Sequence, residues 1–117
     1  MELTTINPAA QQQKLGRRYI PADACIYPPA VMPDDVLLVD LDQDIVSSDS
    51  LYLLERLQDG AVTWMGCRRL ETAITGGLRV DETGRGDWVP MPDKGSLRIA
   101  GRVMRVYRPT DKVERIY

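Results

Sequence analysis

Four prolines, Pro21, Pro28, Pro29 and Pro33, fall between residues 21 and 35. Each lacks a backbone donor and fixes φ, so no helix of useful length and no central strand can run through this stretch. It is expected to be an ordered loop or a series of turns. Turn formers recur further along, with Asp59-Gly60, Thr75-Gly76-Gly77, then Gly84, Gly86, Pro90 and Pro92 around Trp88, and finally Pro109. The segments left between them are strand-sized. Val36-Leu37-Leu38-Val39 is a continuous apolar run closed by Asp40, as in a buried strand. Leu51 to Leu57 is a second strand. Gln58-Asp59-Gly60 is a hairpin signal, because Asp-Gly favours the positive φ of a tight turn. Ala61 to Trp64 returns as a third strand, with an irregularity expected at Gly66 to Leu70, and Leu78-Arg79-Val80 follows the next turn.

The last clear strand is Leu97 to Tyr107. Leu97, Ile99 and Val103 alternate with Arg98 and Arg102, which predicts one dry face and one cationic face. Gly101 inside this run predicts a bulge or a close backbone approach. Five or six short strands with hardly any helix define a mostly β, antiparallel domain of short, bent strands and hairpins. One domain is expected from 117 residues, of which 44% are hydrophobic and 27% charged. Its limits are placed at residues 22–108, after an N-terminal arm or linker at 1–21 and before a C-terminal tail at 109–117. Within the arm, Asn7 is a candidate N-cap, Pro8 a first-turn residue and Gly16 a terminator for a short helix.

Histidine is absent, which removes the commonest general base and the commonest metal ligand together. The net charge of −2 argues against a surface that coats nucleic acid in general. Charge is nonetheless uneven: residues 21–60 hold nine carboxylates against Arg56, whereas 61–117 hold eleven cations and seven carboxylates. Such polarity can align an association between copies, although two solvated faces of one domain would look the same. Cys25 and Cys67 are too few for a secreted disulfide scaffold and are taken as reduced thiols of a cytoplasmic protein. No apolar run approaches the roughly 20 residues that span a bilayer, and the N-terminus has no apolar core of a signal peptide.

The stretch Ala24-Cys25-Ile26-Tyr27-Pro28-Pro29, then Asp34-Asp35, then Val36-Leu37-Leu38-Val39-Asp40, resembles the self-cleaving serine peptidases of the LexA type. That family has Gly-Asp-Ser-Met-x-Pro, a Gly-Asp turn and a strand ending in Val-Asp, and it includes phage-repressor C-terminal domains and the UmuD subunits of translesion polymerases. The two stretches align without a gap. Downstream, Leu51 to Leu57, Asp59-Gly60 and Val62 to Leu70 resemble the family's hairpin, and Ile99-Ala100-Gly101-Arg102-Val103 matches its terminal Ile-x-Gly-x-Val. The likeness covers roughly residues 22–107.

The departures carry as much meaning. The resemblance places the catalytic serine on Ile26 and the general-base lysine on Met65 or Arg68. Lysine occurs at 14, 94 and 112, none of them on that hairpin. A serine–lysine dyad needs a lysine that can give up its proton near neutral pH, and arginine stays charged. The family's Ala-Gly or Cys-Gly cleavage bond is also missing upstream of Ile26. A pseudo-peptidase is therefore expected, without cofactor or metal.

The remaining chemistry-bearing residues have plainer readings. Cys25, beside the lost serine position, has no histidine to activate it and is expected to be a buried thiol. Cys67 next to Arg68 and Arg69 is a weaker redox candidate. Asp40, Asp42, Asp44 and Asp49 resemble a calcium loop only until Ile45 and Leu51 occupy the positions that need glycine and glutamate. Arg98, Arg102, Arg105 and Arg108 suggest a cationic face or interfacial ion pairs before phosphate contacts. Trp64, Trp88 and Tyr107 are core or interface anchors. Interface candidates are Leu97, Ile99, Val103, Arg105, Tyr107, Val113, Ile116 and Tyr117, the last three on an apolar tail.

The resemblance implies a non-catalytic oligomerisation domain of a phage-repressor-like transcriptional regulator, forming a dimer or higher oligomer with itself. Residues 1–20 cannot hold a helix-turn-helix, so DNA would be reached only through a separate domain. The alternatives are a UmuD-like polymerase subunit and a free-standing modulator that pairs with an intact repressor. Capture of a translesion polymerase or of a repressor separates these. No membrane partner is expected.

Overall fold

A computed structural model describes residues 15–91 and 97–109, and these form a mostly β domain built on one antiparallel sheet. The strands are β1 (Arg17–Pro21), β2 (Val36–Asp40), β3 (Ser50–Gln58), β4 (Ala61–Thr72), β5 (Leu78–Asp81), β6 (Trp88–Pro90) and β7 (Leu97–Tyr107). Their order across the sheet is β1-β2-β7-β3-β4-β5-β6. A single 3-10 turn, Ala22–Ala24, opens the proline-rich loop. No helix among the described residues is long and apolar enough to cross a membrane.

Both faces of this sheet bury apolar side chains, which explains the continuous apolar runs. On β3, Leu53 enters one cluster with Leu37, Val39, Cys67 and Val103, capped by Ala22, Cys25, Tyr27 and Val31 of the loop. Its neighbours Tyr52 and Leu54 point the other way, into a second cluster with Leu70 and Val80. Strict period-2 geometry thus sends Leu51-Tyr52-Leu53-Leu54 to two cores in turn. The Asp59-Gly60 turn forms as expected, with φ of 52° and 81°. The irregularity in this hairpin lies between Arg56 and Leu57. Gly66 to Leu70, where one was expected, pairs regularly with Ser50 to Leu54.

The strand β7 departs most from a simple alternation. Its register against β3 shifts so that Leu54 faces Ile99 while Leu53 faces Gly101, leaving Ala100 as an extra residue. A second shift against β2 leaves Met104 extra, since Leu38 faces Arg105 and Val39 faces Val103. Each inserted residue reverses which face the following side chains take. Leu97 and Ile99 therefore pack on the Tyr52 cluster, and Val103 joins the opposite one. The single dry face expected for these three residues is divided between two. Gly101 itself makes the close approach anticipated: a methyl group there would stand 2.6 Å from the Asp40 carbonyl and 2.8 Å from Val39 Cγ1.

Two strands extend the sheet beyond the sequence reading. Arg17–Pro21 belongs to the sheet, pairing with β2 from Arg17↔Asp40 to Pro21↔Val36, so the end of the expected arm is part of the domain. Trp88–Pro90 pairs with β5, where only turns were expected, and closes the other edge. The helix expected around residues 7–16 lies outside the described residues except for Leu15 and its terminator, Gly16, which has φ of 75°.

Candidate functional site

The proline-rich loop folds over β4 and brings Cys25 and Tyr27 against Cys67 and Arg68. Tyr27 and Val31 exchange backbone hydrogen bonds of 2.8 Å each, tightening the loop around Pro28-Pro29. The Tyr27 ring is buried, and its hydroxyl donates to the Asp81 carbonyl oxygen at 2.5 Å. Burial pushes this phenol up to about 12, so it stays protonated and donating through the neutral range. Cys25, one residue before Ile26, touches Cys67 on β4, and the two thiols share a hydrogen bond. That bond holds Cys25 below an ordinary thiol, while the same bond and burial push Cys67 well above one. Ile26 lies between these anchored neighbours and is 40% exposed.

Opposite them, Arg68 projects from β4 between two aromatic rings. Its guanidinium carbon is 5.5 Å from the Tyr27 centroid and 5.7 Å from that of Trp64. Nε donates to Glu82 Oε1 at 3.0 Å, and one terminal nitrogen donates to the Cys67 carbonyl at 2.7 Å. Stacking, an ion pair and a backbone bond fix one orientation of an obligate cation. Met65, the other candidate for the lysine position, is half-buried against the Leu53 cluster. Arg56 stacks on Trp64 too, at 5.9 Å. Beneath this array lies a cavity of about 290 Å³ lined by Arg56, Trp64, Arg68, Glu82, Met91 and Leu97. The indole covers Gly66, where any added Cβ would collide with the Trp64 ring. A glycine is thus required for Trp64 to lie down on its own strand.

The turn before β2 is equally specific. Asp34 takes a positive φ of 76°, a conformation that favours glycine. Asp35 is buried, accepts from the Met32 N–H at 2.8 Å and receives both Nε and Nη2 of Arg108 at 3.1 and 2.9 Å. Arg98 is paired with Glu55 at 2.8 Å, and Arg102 donates to Ser50 Oγ at 3.1 Å. Three of the four arginines expected on a cationic face thus serve contacts inside the domain. Among the described residues Arg105 has no ion pair, and it is exposed.

The acidic run has structural duties as well. Asp42 receives the Leu15 and Gly16 N–H groups at 2.7 and 2.9 Å, Asp40 receives Gln43 Nε2 at 2.8 Å, and Asp49 receives Arg69 at 3.1 Å. No three His, Cys, Asp or Glu side chains among the described residues converge to hold a metal.

Of the interface candidates, Val103 is buried in its own core, and Leu97 and Ile99 are half-buried against Tyr52 and Leu54. The backbone of β7 pairs with β3 over Leu97 to Arg102 and with β2 over Arg102 to Tyr107, so both of its sides are taken together only at Arg102. Arg105 and Tyr107 remain exposed on the outer face. Val113, Ile116 and Tyr117 lie outside the described residues. What sequence reasoning missed is Tyr19: it is 67% exposed, sits on the open edge strand, and its ring lies 6.1 Å from that of Tyr107. The partner, Tyr107, was in view; the strand that brings Tyr19 to it was not. Comparison with protein-family profiles, curated proteins and solved structures finds no match to this chain.

Proposed function

We propose that this chain is a non-catalytic, self-associating domain of a phage-repressor-like transcriptional regulator of LexA type. The observation that carries it is Arg68. Of the two positions that align with the family's proton-accepting lysine, Met65 is a thioether and Arg68 is a cation that cannot lose its proton, clamped by Glu82, Tyr27 and Trp64. Its opposite number in the alignment is Ile26, held between residues that touch Cys67 and Arg68 but carrying no atom able to attack a carbonyl. The glycine-like φ of Asp34 and the close approach at Gly101 fit the same alignment at two independent points. Cys25 is no substitute nucleophile, since its thiol is buried and bonded to a second thiol rather than to a base. With catalysis gone, association is the remaining use of such a domain, and linked DNA-binding heads would gain effective concentration from it.

Incubation at alkaline pH, where LexA-type domains cut themselves, tests the first half of this reading. The pH should stay below about 10, where an ordinary tyrosine begins to ionise, so that Tyr27 keeps its hydrogen bond. The expected result is an unchanged intact mass. Appearance of a fragment that Cys25→Ala abolishes would overturn it.

A further inference from the structure

The edge strand β1 has a hydrogen-bonding pattern that is complementary to itself. Ala22 N–H donates to the Asp35 carbonyl and Leu41 N–H to the Gly16 carbonyl, both at 2.9 Å, and both pairs fall in the β1–β2 register. In an antiparallel ladder, residues that bond across alternate with residues that bond away. Arg18 and Ile20 therefore turn their backbone groups to β2, and Arg17, Tyr19 and Pro21 turn theirs outward. Among the described residues no strand pairs with that outer side. Pro21 contributes only a carbonyl there, so an incoming strand must not need a donor opposite its own equivalent of Arg17 C=O.

We propose that β1 is a homotypic docking edge, through which two copies of this chain join their sheets antiparallel with Tyr19 on the two-fold axis. In this register Tyr19 faces Tyr19 of the partner subunit and exchanges both backbone bonds with it. Arg17 faces Pro21 of the partner subunit, and its N–H meets that carbonyl. The missing donor of Pro21 falls at the periphery of the pairing, not at its centre. No arginine opposes another arginine, because Arg18 faces Ile20. A two-fold contact of this kind is closed and stops at a dimer.

The side chains extend the contact. On the outer face of β1, β2 and β7 the register groups Tyr19 with Leu38 and Arg105, and Pro21 with Val36 and Tyr107. Val36 and Leu38 are half-buried, whereas Tyr19 and Tyr107 are exposed. Pairing across Tyr19 joins two such aromatic patches into one. The far edge of the sheet, β6, is only three residues long and ends in Pro90, a much poorer template. A short edge buries less than the roughly 1,200–2,000 Å² of a stable interface, so a concentration-dependent dimer is expected.

This interface rests on the self-association proposed above, and the test separates the two. In the full chain, Tyr19→Cys places two thiols on the axis at a Cα separation of about 5.5 Å, inside the range a disulfide accepts. Cys25 and Cys67 are buried and do not compete. Mild oxidation of this variant with a small disulfide, such as oxidised glutathione, should give a covalent dimer by thiol–disulfide exchange, two reduced glutathiones leaving for each bridge. Arg18→Cys, facing Ile20 rather than itself, should give far less. Tyr19→Lys sets like charges opposite each other and should weaken the native dimer about tenfold or more in sedimentation equilibrium. A wild-type chain that stays monomeric overturns both the interface and the proposed function. A wild-type dimer indifferent to Tyr19→Lys, with no bridge through Tyr19→Cys, overturns this interface alone and assigns the edge to another segment, of this chain or a partner.

Discussion

Asp81 is 2% exposed, and its carboxylate accepts the backbone N–H groups of Gly84, Gly86 and Asp87 at 3.2, 2.9 and 3.1 Å. Burial alone would raise its pKa, but the N–H groups of Gly86, Asp87 and Gly84 outweigh burial and hold the group below an ordinary aspartate. Because the folded value lies below the unfolded one of about 3.9, this carboxylate stabilises the domain above that pH and loses its contribution as pH falls through the folded value. Asp81→Asn should cost about 1–3 kcal/mol in denaturant unfolding near neutrality, as a charged acceptor is replaced by a neutral amide. The deficit should shrink in acid; a constant deficit down to the acid limit would show that charge is not the cause. Tyr27 behaves in the opposite sense. Its phenol is pushed up to about 12, so its contribution is complete below the unfolded value near 10 and is lost as pH rises between the two. Tyr27→Phe should flatten the alkaline limb of the stability profile. The buried thiols supply a third check at this scale: neither Cys25 nor Cys67 should react with an aromatic disulfide reagent in the native chain, and both should react on unfolding.

At the scale of strands and turns, legibility in the sequence follows from where the stabilisation comes from. The β3–β4 hairpin announces itself because Asp59-Gly60 sets its own φ angles and the apolar runs flank it. The strand β1 does not, since Arg-Arg-Tyr-Ile-Pro has no alternation and is held by pairing with β2. The short β6 is hidden by Pro90, which is tolerated at a sheet edge. Gly101 flagged a tight spot in β7, yet nothing in the residue types marks Ala100 and Met104 as the extra residues that reverse its faces. Residue types alone therefore put Leu97, Ile99 and Val103 on one face, which the two extra residues divide. The Cys25–Cys67 contact and the Tyr27–Arg68–Trp64 stack were not legible, because they depend on how the loop settles on β4. Gly101→Ala tests the β7 geometry directly. Its methyl would press on the Asp40 carbonyl and Val39, and a loss of about 1–3 kcal/mol is expected from such overpacking, read as a lower urea midpoint. An unchanged midpoint would mean that β2 and β7 separate easily there.

For the molecule as a whole, one sheet supplies two apolar clusters, a loop folded over β4 and, at β1, an edge strand with no outer partner among the described residues. Part of the uneven charge of the sequence is paired inside the domain, where Arg108–Asp35, Arg98–Glu55 and Arg69–Asp49 join the acidic and the basic halves. Association therefore has to draw on what remains outside, and Tyr19, Tyr107 and Arg105 are there. Sedimentation equilibrium of the 13.2 kDa chain over a concentration series reaching high micromolar is the most direct measurement. A mass rising to that of a dimer or larger is the predicted result. A single monomeric species throughout the series would contradict the self-associating role.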